Sequence, residues 1–166
     1  MQGSIHRRVR RQRESHHGSF CQAIDRTRDT GRAMSRENVE LIVRALEHSH
    51  DDPTPVLEIL DDEAQWEMGT LDLPEGGGAW QGPAGVREFF RRWVRPFDDW
   101  DYEICEVIDA GDSVLVHIRQ WGRGKGSGVV VENRFWQLWT LRQGKVIRTS
   151  HYSKRAEALE AAGLQE

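Results

Sequence analysis

From Trp100 to Tyr152 the pattern of apolar and polar positions reads as four β-strands in succession. They are separated at Ala110-Gly111, at the GRGKGSG stretch 122–128 and at Gln143-Gly144, which predicts an antiparallel meander. Upstream the period changes to that of helices. Val39, Ile42, Val43 and Leu46 follow the i, i+3, i+4, i+7 rule behind Ser35, a predicted N-cap. Thr54-Pro55 offers a cap followed by proline at the first helical position, which predicts a short helix through Leu60 that exits at Asp61 and Asp62. Ala64, Trp66 and Met68 then alternate with Gln65 and Glu67, as in a strand with one buried face. Residues 70–82, rich in Gly and Pro, read as loop. Pro83 opens and Pro96 closes a helix whose apolar stripe is Val86, Phe89, Phe90, Trp93 and Val94, with Arg87, Arg91 and Arg92 off it. A last helix carries Ala156, Leu159 and Ala162 in step and stops at Gly163.

The turns suggest a register. Two-residue loops at 110–111 and 143–144 pair Val107 with Val114 and Trp136 with His151, and the glycine loop pairs Arg119 with Val131. One face then carries Cys105, Val116, Ile118, Gln120, Arg134, Trp136, Leu138, Thr149 and His151. The other carries Tyr102, Ile104, His117, Arg119, Trp121, Asn133, Phe135, Gln137, Trp139 and Tyr152. A bulge would exchange the faces and bring the His117–Asn133 pair inside in place of His151. Neither face is purely polar, so helices should cover one, and a second subunit at least part of the other.

Charge divides the chain in two. Residues 1–33 hold eight Arg against Glu14, Asp25 and Asp29, a net +5, whereas 34–166 carry a net −9 and all seven Trp. The first part lacks aliphatic periodicity and is expected to be a disordered Arg-rich tail or an over-long start, with one domain at 34–166. The overall charge of −4 speaks against nucleic acid as the main partner. No apolar run reaches the ~20 residues of a membrane span. Cys21 and Cys105 have no metal-ligand spacing, which fits a reduced, cytoplasmic protein.

The segments MSRENVELIVRALEH, DDEAQWEM, QGPAGVREFF, IDAGD, WTLRQGKVIR and KRAEALEAAGL, in that order, resemble SnoaL-like proteins of the nuclear transport factor 2-like superfamily over about residues 34–164. The resemblance implies an α+β fold: a cone-shaped, curved, mostly antiparallel sheet wrapping N-terminal helices around a pocket, with a short C-terminal helix, usually as a homodimer. Members include polyketide cyclases, ketosteroid isomerases, dehydratases and epoxide hydrolases. Several of these enzymes carry an acid/base carboxylate on the last strand, a position that His151 occupies here. The isomerase base position is held by Met68, which cannot accept a proton, so an isomerase mechanism of that type is not expected.

His151 is therefore the catalytic candidate, since an imidazole with a pKa near ~6.5 exchanges protons at neutral pH. The competing reading is a structural histidine bonded to a strand neighbour. Arg134 and Gln120 are candidates to polarise a substrate oxygen, unless Arg134 only pairs with Glu132 or Glu103. Trp66, Met68, Phe90, Trp93, Ile118 and Trp136 are candidate walls for a small apolar organic molecule, or else simply core. His48, His50, Asp51 and Asp52 match no dedicated metal site, and GRGKGSG lacks Walker spacing. The expectation is a cofactor-independent lyase or isomerase of polyketide cyclase type, or alternatively a non-catalytic ligand-binding or dimerisation module.

Overall fold

The computed structural model describes residues 32–69, 71 and 78–165. The tail expected at 1–33 lies outside them apart from its last two residues, as does most of the loop expected at 70–82. Helix α1 (Arg32–Glu47) starts before Ser35, so Ser35 is not its cap. Ser35 is instead buried, and its hydroxyl donates to the Asp109 carboxylate while Asn38 donates to the Gly111 carbonyl. These bonds pin α1 to the turn between the first two meander strands.

Helix α2 (Thr54–Glu58) is shorter than expected. Asp52 rather than Thr54 organises its start, its carboxylate accepting from the Thr54 N–H and hydroxyl at 3.0 and 2.7 Å. Leu60, Asp61 and Asp62 already belong to strand β1 (Leu60–Glu67). A short strand β2 (Ala79–Gln81) crosses the stretch expected to be loop, pairing Gln65 with Gln81. Helix α3 (Gly82–Val94) follows, with Val86 and Phe89 buried.

The meander is β3 (Phe97–Asp109), β4 (Ser113–Gly124), β5 (Val130–Arg142) and β6 (Lys145–Tyr152), followed by helix α4 (Arg155–Ala161). All six strands form one sheet in the order β2-β1-β6-β5-β4-β3, with β1 parallel to β6 and the other neighbours antiparallel. The architecture is the expected α+β one: a curved sheet, helices at the N-terminal end and a short C-terminal helix.

The register departs from expectation, and the departures decide which side chains meet. β4 runs on to Gly124, so Gly122 lies inside the strand, where a Cβ would stand 2.6 Å from the Phe97 ring. Arg119 consequently faces Arg134, not Val131. That offset of three turns β5 over, moving Arg134 and Trp136 away from Ile118 and Gln120. A bulge between Thr140 and Leu141 then pairs His151 with Gln137 instead of Trp136. The second odd shift cancels the first for β6, and His151 stays on the side of Ile118 and Gln120. A bulge between Ile104 and Glu106 puts Tyr102 and Ile104 opposite Gln120 and Ile118, in place of Cys105.

The concave side packs on α1, α2 and α3 as the main core, with Trp66, Val56, Val86, Val116 and Trp139 essentially inaccessible. On the convex side Leu115, Trp136 and Leu138 form a smaller cluster beneath Ala158 and Leu159 of α4. The chain's own last helix thus covers part of the face for which a second subunit was expected.

Candidate functional site

A cavity opens on the concave side where the end of β1, the apolar face of α3 and the middle of the meander converge. Trp66 comes from the end of β1 and Met68 from just beyond it, Phe89, Phe90 and Trp93 from α3, Ile118 and Gln120 from β4, and His151 from β6. Of the expected site residues, the structure brings together His151, Gln120, Trp66, Met68, Phe90, Trp93 and Ile118. Arg134 and Trp136 are not among them. Arg134 is exposed on the convex face 3.6 Å from Glu132, and Trp136 stacks there on His117 with ring centroids 4.5 Å apart, under Arg155 of α4. The His117–Asn133 pair does not form: His117 faces Trp136 and Asn133 faces Gln120.

His151 is 1% exposed, and both ring nitrogens are engaged. Nδ1 lies 2.7 Å from the Glu67 carbonyl, which can only accept, so Nδ1 carries the proton. Nε2 then presents its lone pair and accepts from the Gln137 amide Nε2 at 3.0 Å. Burial pushes the His151 pKa down to about 4, partly offset by the bond to Glu67, and the ring is neutral at pH 7. The backbone around it is tightly set. Gly69 adopts φ +53, and a Cβ there would stand 2.1 Å from the His151 carbonyl oxygen. The Glu67 side chain accepts from Arg148 at 2.6 Å, tying β1 to β6 beside the site.

The tautomer has a consequence for Gln137. Its amide nitrogen faces His151, and its Oε1 is left buried without a protein partner. The indole N–H groups of two further lining residues, Trp66 and Trp100, are also buried and unpartnered. Buried polar atoms are ordinarily paired, so these three are open to a bond with a ligand or water. Gln120 Oε1 accepts from the Trp93 indole at 3.0 Å, which leaves its amide nitrogen as the end available to a ligand. Within apolar walls, the site offers one acceptor and several donors.

Size divides the site into two spaces. The inner cavity has a volume of about 40 Å³, room for two or three waters. Ser49, Phe90 and Trp100 also line an outer chamber of about 480 Å³, in the range of small-molecule sites.

Sequence reasoning missed Gln137, Phe135, Tyr102 and Trp100. Gln137 carried a signal, being a polar residue in the middle of the run Phe135–Trp139. The register placed Tyr102 and Phe135, like Gln137, on the opposite face and assigned Trp100 to neither. Among the described residues no three His, Cys, Asp or Glu side chains are grouped as metal ligands, and no helix is long and apolar enough to cross a membrane. In the His48–Asp52 run, His48 turns back onto the Arg44 carbonyl and His50 onto Asp101.

Solved structures of the same fold match most of the chain. TerC, co-crystallized with polyporic acid, is 24% identical with TM-score 0.60, covering 76% of this chain and 98% of its own. A putative SnoaL-like polyketide cyclase from Jannaschia sp. CCS1 is 20% identical with TM-score 0.63, covering 85% of this chain and 99% of its own. A phenazine biosynthesis-related protein from Pseudomonas aeruginosa is also 20% identical, with TM-score 0.62, over 82% and 91%. At these identities the likeness concerns the fold. Among curated proteins, none matches the sequence. The SnoaL-like domain family matches residues 39–149, which include every strand of the cone from β1 to β5 and most of β6, and the chain belongs to that family.

Proposed function

We propose that this protein binds a small, largely apolar, oxygen-bearing organic molecule and moves a proton on it without a cofactor, as in cyclisation or dehydration. The observation that carries this reading is the neutral His151 imidazole buried beside unpartnered polar atoms of Gln137 and Trp66. A hydroxyl of the ligand would donate to Gln137 Oε1, and a carbonyl oxygen would accept from the Gln120 amide and an indole N–H. His151 Nε2 would take the proton once the Gln137 amide swings to the ligand. A dry site strengthens each of these bonds. The cyclase named among the structural neighbours and the organic acid bound by TerC support the same ligand class. Homodimerisation and a cytoplasmic location belong to this proposal. The exposed Val129, Val130 and Val131 at the tip of the β4–β5 hairpin are the apolar surface offered to a second copy, and light scattering tests the dimer.

A second reading, a binding module without catalysis, is favoured by one observation: both nitrogens of His151 are occupied and its basicity is low. Screening hydroxylated aromatic and β-keto compounds for turnover separates the two. Catalysis predicts turnover that His151→Ala removes while the fold survives. Binding that shifts the melting temperature, with no turnover of any compound, selects the module. Turnover undiminished in His151→Ala contradicts the role given to His151.

A further inference from the structure

A second histidine is arranged quite differently from His151. His50, just beyond α1, places its Nδ1 2.5 Å from Asp101 Oδ1 on β3. The carboxylate accepts, so Nδ1 carries the proton and Nε2 of the neutral ring keeps its lone pair. The pair is held from both sides. Asp101 Oδ1 also accepts the Tyr102 backbone N–H at 2.9 Å. The His50 ring stacks on the Tyr102 ring with centroids 4.5 Å apart and planes 13° from parallel. Tyr102 is itself buried and anchored, its hydroxyl donating to the Leu46 carbonyl. His50 and Asp101 nonetheless keep 31% and 17% side-chain exposure, so the dyad is fixed but reachable.

His50 lines the outer chamber together with the aromatic side chains of Phe90, Phe97 and Trp100. With Nδ1 committed to Asp101, the atom it can offer a ligand there is Nε2. The charged groups lining the same chamber are Asp51, Arg87, Arg91, Arg95, Asp98 and Lys125. Cations outnumber carboxylates among them, although Arg91 is bonded to Glu88. A chamber of this kind accepts a flat molecule and favours negative charge that develops on it.

We propose that the His50–Asp101 pair is a second proton-transfer site, at which His50 Nε2 takes a proton from a carbon or phenolic acid lying against Trp100 and Phe90. The inference rests on the small-molecule reading above and extends it from the inner cavity to the outer chamber. The bonding pair of the broken C–H or O–H bond stays on the substrate as an enolate or phenolate, which the surrounding cations stabilise. The proton passes to Nε2, Asp101 stabilises the imidazolium, and the proton then returns to substrate or water.

The test uses the full chain and nitrobenzisoxazole as the probe. A base removes its ring C–H proton, that electron pair forms the nitrile, and the N–O bond breaks to release a coloured phenolate. Wild type should accelerate this reaction over buffer, and His50→Ala should lower the rate about a hundredfold. His117→Ala, a histidine change on the convex face, should leave it unchanged. Asp101→Asn should lower kcat in the folded variant with little change in KM, because the imidazolium formed in the step loses its counter-charge. A purely structural role for Asp101 would lower the melting temperature and leave kcat of the folded variant unchanged. Melting temperatures check each fold, and His50→Gln replaces His50→Ala if the latter unfolds. A wild-type rate in folded His50 variants, with loss in His151→Ala, overturns the dyad and leaves the inner-cavity reading standing. No acceleration by wild type overturns the dyad, while the inner-cavity reading stands or falls on its own screen of hydroxylated aromatic and β-keto compounds.

Discussion

The two faces of one sheet solve the problem of polar side chains in opposite ways. On the convex face most of them pair with each other in water, although Arg119 Nε is buried without a partner. Arg119 bridges Glu103 and Glu132 at 2.9 and 2.8 Å, Arg134 approaches Glu132, and Arg155 approaches Glu106. Solvent screens such exposed pairs, and they contribute little to stability. On the concave face polar groups are few, buried and incompletely matched: His151, Gln120 and Gln137 sit among indoles, and Gln137 Oε1 finds no protein partner. The difference teaches where chemistry can be hosted. A paired surface charge is already satisfied, whereas a buried unpaired acceptor is satisfied only by what enters the cavity.

The contrast can be broken most forcefully at Trp66. Its ring packs against Phe89, Phe90, Trp139 and His151 at centroid distances of 5.6, 5.4, 5.4 and 5.2 Å. Trp66→Ala should cost about 3–5 kcal/mol in urea unfolding. A loss below about 1 kcal/mol would mean the concave core collapses onto the gap.

Acid comes next. Because the folded His151 titrates at about 4, below an ordinary histidine, the unfolded chain binds more protons between those two values. Stability contributed by the neutral ring is therefore complete above about pH 6.5 and falls as pH drops toward 4, by roughly 3 kcal/mol in all. His151→Leu should remove this part of the acid slope in unfolding measurements taken from pH 7 to 4. An unchanged slope would assign it to other groups.

The smallest effect belongs to the convex face. Arg134→Ala should change stability by no more than about 0.5 kcal/mol and leave ligand binding intact. A large loss of binding would return Arg134 to the site.

Much of the fold was legible in the sequence, because helix stripes such as Val86–Phe89–Phe90 and the turn residues Gln143-Gly144 are local signals. The site was legible only in part. His151 was assigned to the side of Gln120 and Ile118 through two register errors that cancelled, one at the glycine loop and one at the bulge beside Leu141. Arg134 and Trp136 had only the first error and were misplaced. Gly122 looked like loop, but it is a strand residue that makes room for Phe97, a contact between residues 25 apart that no local pattern announces. The His50–Asp101 pair joins residues 51 apart, and in sequence His50 reads only as part of a polar helix end.

The most direct test of the concave site is the protonation of His151 itself, followed by nitrogen-15 NMR of the imidazole across pH. A single Nδ1–H tautomer at pH 7 and a midpoint near 4 are predicted from the Glu67 and Gln137 contacts and from burial. A midpoint at the ordinary histidine value of about 6.5, or an Nε2–H tautomer, would contradict the buried, neutral, lone-pair-inward ring on which the proposed chemistry depends.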